Sequence, residues 1–208
     1  MSGKHEVVSV VAGGWSFTEV DPSLVPGFLI AVNDSAVLLP RWDCAISMDR
    51  LWAEDRWAHL RERRTLCYLR RSAAQNIYHK PFPWAHIFEC DNESHELSPH
   101  DHTLNGANSG ECALNLAHTM RPRELLLFGF DMQRGPGGEP YWYPPYPWRP
   151  TGATTKGRYR DWAAGLRRVA EQLQAAGTRV TNVSSRTLLD CFDVRTPAEM
   201  NMQRSARC

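Results

Sequence analysis

Residues 107–132, ANSGECALNLAHTMRPRELLLFGFDM, read as a small-residue turn, a helix, a tight connection and a buried strand. Ser109 is placed as the N-cap, with Gly110 and Glu111 opening the first turn. Ala113, Leu116, Ala117 and Met120 recur at i, i+3, i+4 and i+7, the spacing of one buried helix face. Pro122 stops the helix. Leu125 to Phe128 form a continuous apolar run, as in a strand covered on both faces, and it ends in Gly129-Phe130-Asp131. In open α/β sheets, ligands bind just beyond the carboxyl ends of the strands. A small-residue turn opening a helix also offers backbone N–H groups to a phosphate or carboxylate. Taken alone, the same residues also describe an ordinary αβ unit whose Asp caps a turn.

The pattern repeats outward from this stretch. Residues 6–12, EVVSVVA, form a β-branched run that ends in the glycine turn Gly13-Gly14-Trp15-Ser16-Phe17. That turn is neither a full G-x-G-x-x-G nor followed by a phosphate-loop lysine, so a plain turn competes with a nucleotide seat. A second strand, 28–32, ends in Asn33-Asp34-Ser35, and a third, 44–48, ends in Asp49. Four apolar strands thus end in Gly13/Gly14, Asn33, Asp49 and Asp131, and in a parallel sheet those ends share one rim. Residues 50–63 read as a helix with Ala53, Trp57 and Leu60 inward, and 66–69 as a strand. Residues 161–176 read as the clearest helix, striped by Trp162, Leu166, Val169, Ala170 and Leu173 and stopped by Gly177. A last strand follows at 179–183, then a short helix packing back and a polar end. The expectation is one α/β domain over 1–208, a Rossmann-like parallel sheet flanked by helices.

Bulk composition excludes little but points away from some partners. Lys+Arg of 24 against Asp+Glu of 23 gives no electrostatic reason to expect nucleic acid. No apolar run is long enough to span a bilayer, and MSGKHEVV has no signal-peptide apolar region. The six cysteines contain no C-x-x-C pair, and four lie in or beside apolar segments, which reads as reduced thiols in a cytoplasmic protein.

Two regions break the αβ rhythm. Residues 72–106 are irregular and hold His79, His86, His95, His100 and His102. His100-Asp101-His102 beside His95 has ligand chemistry for zinc or manganese, but no supporting i, i+4 or Cys spacing, so a polar surface loop is the reading. Residues 133–159, QRGPGGEPYWYPPYPWRPTGATTKGRY, are too rich in Pro and Gly for a helix or a central strand. A long loop of this kind is a functional lid or an interaction surface, and its aromatics supply stacking faces. Its place after Asp131 hangs it over the rim. A contact between copies in a homo-oligomer is the alternative.

The succession of these motifs resembles the bacterial sialyltransferases that use CMP-sialic acid, with their relatives in the motility-associated glycosyltransferase and pterin diphosphokinase-like group. The family's glycine loop after the first strand corresponds to Gly13-Gly14-Trp15-Ser16-Phe17, and its Asn-containing turn to Val32-Asn33-Asp34-Ser35. Its Thr-Ser-Gly turn resembles Asn108-Ser109-Gly110, and its Gly-Ile-Asp resembles Gly129-Phe130-Asp131. Tyr141, Tyr143 and Tyr146 stand where the family's loop carries nucleotide-contacting tyrosines, and Asn182 through Leu189 resembles its closing segment.

The resemblance implies a Rossmann-like glycosyltransferase domain with a lid. It implies a nucleotide sugar as donor, a CMP-sugar favoured, with no metal or cofactor required. It implies nucleotide contacts at Gly13, Gly14, Ser16, Asn33, Asp34, Asn108, Ser109, Gly110, Tyr141 and Tyr143. One departure bears on mechanism. The family's lid carries a histidine that serves as general base, whereas no histidine follows His118 here, and the corresponding place reads Thr154-Thr155-Lys156-Gly157-Arg158-Tyr159. A cation there holds phosphate charge rather than taking a proton at neutral pH. The base then falls to Asp131, Asp49 or the 95–102 loop, with Lys156 or Arg158 stabilising the leaving phosphate, or the chemistry differs, with another sugar nucleotide or a diphosphate transfer open. A binding module without catalysis, or an assembly protein using the aromatic loop, are the competing readings.

Overall fold

The computed structural model describes residues 5–75, 77, 84–148 and 156–200, without the side chain of Lys156. In chain order the strands are β1 (Val7–Val11), β2 (Phe28–Val32), β3 (Cys44–Ser47), β4 (Leu66–Arg70), β5 (Ala85–Phe88), β6 (Glu124–Phe128), β7 (Arg179–Val183) and β8 (Asp193–Arg195). Among the described residues the α-helices that accompany them are α1 (Ser35–Leu38), α2 (Arg50–Arg63), α3 (Arg71–Ala74), α4 (Ser109–Thr119) and α5 (Lys156–Ala175). The strands form one eight-stranded sheet in the order β5-β4-β3-β2-β1-β6-β7-β8, and every neighbouring pair is parallel. The fold is a Rossmann-like α/β fold.

The apolar strand runs are continuous because both faces of the sheet are covered. Val8, Val10, Ile30, Ile46, Leu125 and Leu127 pack under α4 and α5, meeting Ala113, Leu116, Leu166 and Leu173. The alternate residues Val11, Leu29, Ala31, Leu69, Leu126 and Phe128 face Phe17 and the α2 residues Trp52, Ala53, Trp57 and Leu60. Tyr143 and Tyr146 complete that second layer, so the first part of the aromatic loop is core, not a free lid.

The sheet grows in one direction from β1 to β5, then returns to place β6 on the other side of β1. Right-handed crossovers put the helices of the two halves on opposite faces. The loops after β1 and β6 therefore part, and a crevice opens where the order reverses.

Some local expectations change. Within 72–106 the structure has the end of α3, β5, and a bridge between Glu89 and Thr103. The first of these was hidden because α3 is only a single turn, and β5 is a short edge-side strand of mixed residues, AHIF, without alternation. The tail forms β8 before any helix; a helical turn begins only at 197, where Thr196 and Glu199 cap each other. α5 starts at Lys156, five residues earlier than the apolar stripe indicates, and so carries Arg158 and Tyr159 on its first turns. The N-cap of α4 is Asn108, whose side chain accepts from Glu111 N; Ser109 is the first helical residue, and its Oγ accepts from Met48 N at 3.0 Å.

Candidate functional site

A cleft of about 450 Å³ opens at the point of strand-order reversal. That is the size of a small-molecule site. Its floor is Gly13 and Gly14 after β1 with Gly129 to Gln133 after β6. One side is Asn33 after β2 with Met48, Asp49 and Arg50 at the junction of β3 and α2, and the turn Asn108-Ser109-Gly110 closes the back. Pro140, Tyr141 and Tyr143 form a wall, and α5 contributes Arg158, Tyr159 and Trp162.

The floor requires two glycines. Gly14 N donates to Gly129 O at 2.8 Å, and a Cβ on Gly14 would lie 2.8 Å from Asp131 Cγ. Gly129 has φ 69, a left-handed conformation that a side chain disfavours. Asn33 is also left-handed, φ 53, which asparagine tolerates better than most residues. Its N–H extends the ladder to Ile46 O.

Asp131 is 1% exposed and holds this floor together. Its Oδ2 accepts from Ser16 N at 2.8 Å, while its Oδ1 accepts from Ser16 Oγ and from Ser184 Oγ, the latter at 3.1 Å. The loops after β1, β6 and β7 are thereby tied to one carboxylate. Burial pushes its pKa above the ordinary carboxylate value, against the pull of the serine hydrogen bonds and of Arg186.

The wall is fixed as well. Trp142 N donates to Gly13 O and Trp142 Nε1 to Ala12 O, both at 3.0 Å, so the loop is pinned to the end of β1. Tyr141 and Tyr143 stack at 5.0 Å and 14°, and the Tyr143 and Tyr146 hydroxyls share a hydrogen bond of 3.0 Å. Burial raises the pKa of both phenols, so they are neutral hydrogen-bonding groups.

Two polar atoms of the lining are unanswered. Asn33 Oδ1 and Asn108 Nδ2 are buried with no hydrogen-bond partner among the described residues. One is an acceptor and the other a donor, and an unsatisfied buried group of this kind costs about 1–3 kcal/mol unless a ligand or water answers it. The first N–H groups of a helix likewise lack partners inside it. Asn108 caps that of Glu111, and the next two belong to Ser109 and Gly110, which line the cleft.

Of the nucleotide contacts expected from the sequence, Gly13, Gly14, Asn33, Asn108, Ser109, Gly110, Tyr141 and Tyr143 meet in this one cleft, as do Asp49, Asp131 and Arg158. Ser16 and Asp34 do not line it. Ser16 serves Asp131. Asp34 is turned toward α2, where its Oδ1 accepts from Trp52 Nε1 at 2.8 Å and its carboxylate forms a two-pronged pair with Arg56 at 2.9 and 2.8 Å. The side chain of Lys156 lies outside the described residues. Arg50, Gln133, Tyr159 and Trp162 are additional lining groups. Arg50 directly follows the strand-end Asp49, a usable signal, whereas Trp162 lies in the apolar stripe that the sequence assigns to the core.

The histidine loop does not reach the cleft. His95 Nδ1 pairs with Glu111, and the ring packs against Gly165 of α5, where a Cβ would come within 2.6 Å of Nδ1. His100 and His102 stack on each other at 5.2 Å. No cluster of His, Cys, Asp or Glu able to hold a metal occurs among the described residues.

A doubly wound parallel sheet with a polar, glycine-floored cleft at its switch point defines a Rossmann-type α/β fold. By backbone shape the chain is similar to CstII, the sialyltransferase from Campylobacter jejuni, solved in complex with a substrate analogue, cytidine-5'-monophosphate (TM-score 0.56, 12% identity). It is equally similar in shape to the sialyltransferase CST-II in complex with a trisaccharide acceptor and CMP (TM-score 0.56, 16% identity). Each comparison covers 92% of this chain and 86% of the other. No family model and no curated protein sequence matches the chain. The shared property is the fold. No helix among the described residues is long and apolar enough to cross a membrane.

Proposed function

We propose that this protein is a glycosyltransferase-like enzyme that takes a nucleotide-activated sugar, a CMP-sugar favoured, into the cleft at the β1/β6 switch point. The observation that carries the reading is the pair of unanswered amide atoms, Asn33 Oδ1 and Asn108 Nδ2, on two residues that line one crevice of nucleotide size. The two neighbours of the same fold were solved with CMP, which supports a pyrimidine nucleotide as the first candidate.

In this reading the donor phosphate sits at the N-terminus of α4. Ser109, the Gly110 N–H and the Arg158 guanidinium offset the charge that grows on the leaving phosphate. Tyr141 supplies a flat face for the base or sugar. Of the two carboxylates in the cleft, Asp49 is the better proton acceptor for an incoming hydroxyl. It is partly exposed at the edge, where its Oδ1 caps α2 by accepting from Leu51 N and Trp52 N, whereas Asp131 is buried and both its oxygens accept hydrogen bonds that position three loops. Asp131 is therefore assigned a positioning role. A rival reading, nucleotide binding without turnover, rests on the lack of any histidine after His118.

The test is a thermal-shift screen of CMP, UMP, GDP, UDP, CMP-sialate, NAD and ATP, followed by a turnover assay with any ligand that binds. A ligand selective for the native state raises Tm by linkage. A selective shift with CMP compounds and release of CMP in the presence of acceptor sugars is the expected result. Absence of any shift removes the nucleotide site; a shift without turnover leaves the binding module.

A further inference from the structure

Two thiols meet directly behind the Asn108-Ser109-Gly110 turn. Cys112 is wholly buried in the first turns of α4. Cys90, just past β5, is partly exposed and lines an open groove between residues 89–93 and 103–105. Their Sγ atoms lie 3.7 Å apart. Both approach the carbonyl of Gly106, Cys90 Sγ at 3.5 Å and Cys112 Sγ at 3.9 Å, and Cys112 Sγ also lies 3.3 Å from Met48 Sδ. Gly106 leads straight into the turn that closes the back of the cleft. Neither thiol lines the cleft itself.

We propose that Cys90 and Cys112 form a reversible dithiol switch, which a hydroperoxide oxidises to a disulfide, displacing the 106–110 turn and weakening ligand binding in the cleft. The effect on binding rests on the nucleotide reading above; the disulfide does not.

The two sulfurs have different roles. A hydrogen bond from Cys112 lowers the pKa of Cys90, with help from Arg70 and against partial burial. The same hydrogen bond, together with burial, raises that of Cys112. Since the thiolate is the reactive form, Cys90 attacks first, and its groove gives the peroxide access. The Cys90 thiolate takes the terminal oxygen of the hydroperoxide as the O–O bond breaks, giving a Cys90 sulfenic acid and, after one proton is taken up, an alcohol. The Cys112 sulfur then attacks the Cys90 sulfur. The S–O bond breaks, the S–S bond forms, and the Cys112 proton leaves with the hydroxyl as water. In total two thiols lose two electrons and two protons, and the peroxide is reduced by the same amount. An external dithiol reverses the change by exchange.

The geometry transmits the event. An S–S bond is about 2.05 Å long, so the two sulfurs must close by roughly 1.7 Å from their 3.7 Å separation. Cys112 is held within α4, so the Cys90 strand end moves. It is bonded to the turn through Leu104 N to Glu89 O at 2.9 Å and Gly106 N to Asp91 O at 3.2 Å. Oxidation also removes the thiol proton that Cys90 offers to the Gly106 carbonyl. The remaining described cysteines provide internal controls. Cys44 and Cys67 are wholly buried, and burial pushes the Cys191 thiol up to about 11.

The experiment treats the reduced full chain with equimolar hydrogen peroxide, blocks free thiols with N-ethylmaleimide, reduces with dithiothreitol, and labels with a second alkylator. Cys90 and Cys112 share one tryptic peptide, 72–123, because Lys80 and Arg121 each precede a proline, and it is expected to carry two second labels. In Cys112→Ser, Cys90 is expected to stop at a sulfenic acid that dimedone captures; in Cys90→Ser, position 112 stays reduced. Amide hydrogen exchange at 106–110 is expected to speed up on oxidation. The Kd for CMP should rise about tenfold, then return with dithiothreitol, while Cys90→Ser keeps its affinity in peroxide. Labels shared evenly among the cysteines, or oxidation at Cys191 before Cys90, would overturn the pairing. A disulfide with unchanged exchange at 106–110 would overturn the coupling. If CMP binds in neither state, the nucleotide reading fails, while label and exchange still decide the switch.

Discussion

The substitution Gly14→Ala tests the floor of the cleft most sharply, because the backbone at this position is not what forbids it. Gly14 has φ −64 and ψ 147, values open to any residue. The obstacle is steric: the new Cβ would lie 2.7 Å from the Gly129 carbonyl carbon and 2.8 Å from Asp131 Cγ. Carbon atoms rest at about 3.5–4.0 Å, so the two strand ends must part by roughly 1 Å. Overpacking of this kind costs about 1–3 kcal/mol. Loss of the 2.8 Å hydrogen bond from Gly14 N to Gly129 O adds about 0.5–1.5 kcal/mol. The expected destabilisation is about 2–4 kcal/mol, or a Tm roughly 5–15 °C lower for a chain of this size. Urea denaturation should show a lower midpoint at an unchanged slope. Gly13→Ala is the control: its Cβ would lie 3.0 Å from Tyr141 Cδ1 and the Tyr143 hydroxyl, side-chain atoms that can shift. It should cost less stability and more ligand affinity. A Gly14→Ala variant within about 0.5 kcal/mol of the parent, the scatter of an ordinary surface change, would refute the close approach of β1 and β6 ends.

Further substitutions separate holding from contacting. Asp34→Ala leaves Trp52 Nε1 and Arg56 without their acceptor and should cost about 2–4 kcal/mol by denaturant titration, with the nucleotide Kd of the folded fraction unchanged. Asn108→Ala removes the α4 cap, about 1 kcal/mol, and should also weaken nucleotide binding; loss of stability alone would take Asn108 out of the site. Arg158→Ala should weaken CMP more than cytidine, read by calorimetry, and an equal loss for both would take Arg158 away from the phosphate. For Asp131 the folded-state pKa is raised, so between its ordinary value and the raised one the folded state binds the extra proton. Its contribution to stability is complete at low pH and is lost as pH rises through the folded value. The stability of the parent relative to Asp131→Asn should accordingly fall with rising pH over that window, and a difference that grows instead would contradict the burial argument.

Most of the sheet was legible because its signals are local. β-branched or leucine runs bounded by Gly, Asn or Asp mark β1, β2, β3 and β6, and two covered faces explain why they do not alternate. β5 and β8 escaped because they are short and lie toward the two edges, where pairing with one neighbour, rather than apolar content, makes a strand. The strand-end rim residues were legible for the same reason as the strands: each follows a strand by one to three positions. Orientation was not. Asn33 and Asp34 are adjacent in sequence, yet the left-handed turn at Asn33 keeps one in the cleft and directs the other to Arg56. No composition rule separates them.

The aromatic loop shows the limit from the other side. Its Pro and Gly content rules out regular structure, and a long irregular loop is ordinarily exposed. What reverses that expectation is tertiary: Trp142 donates twice to the end of β1, and Tyr143 and Tyr146 satisfy each other's hydroxyls, so the rings are buried without stranding a polar group. Burial of those two rings fixes Tyr141, the partly buried member of the stack, as a rigid face over Gly13 rather than a mobile cover. If that is the role of the loop, Tyr146→Phe should act at a distance. It removes the hydroxyl partner of Tyr143 and leaves a buried phenol unsatisfied, costing about 1–3 kcal/mol, yet it leaves every group that lines the cleft chemically intact. A variant that loses stability while the nucleotide Kd moves less than about threefold fits a preformed wall. A large loss of affinity with little loss of stability would instead mean that the loop orders around the ligand, and the rigid-face account of Tyr141 would be wrong.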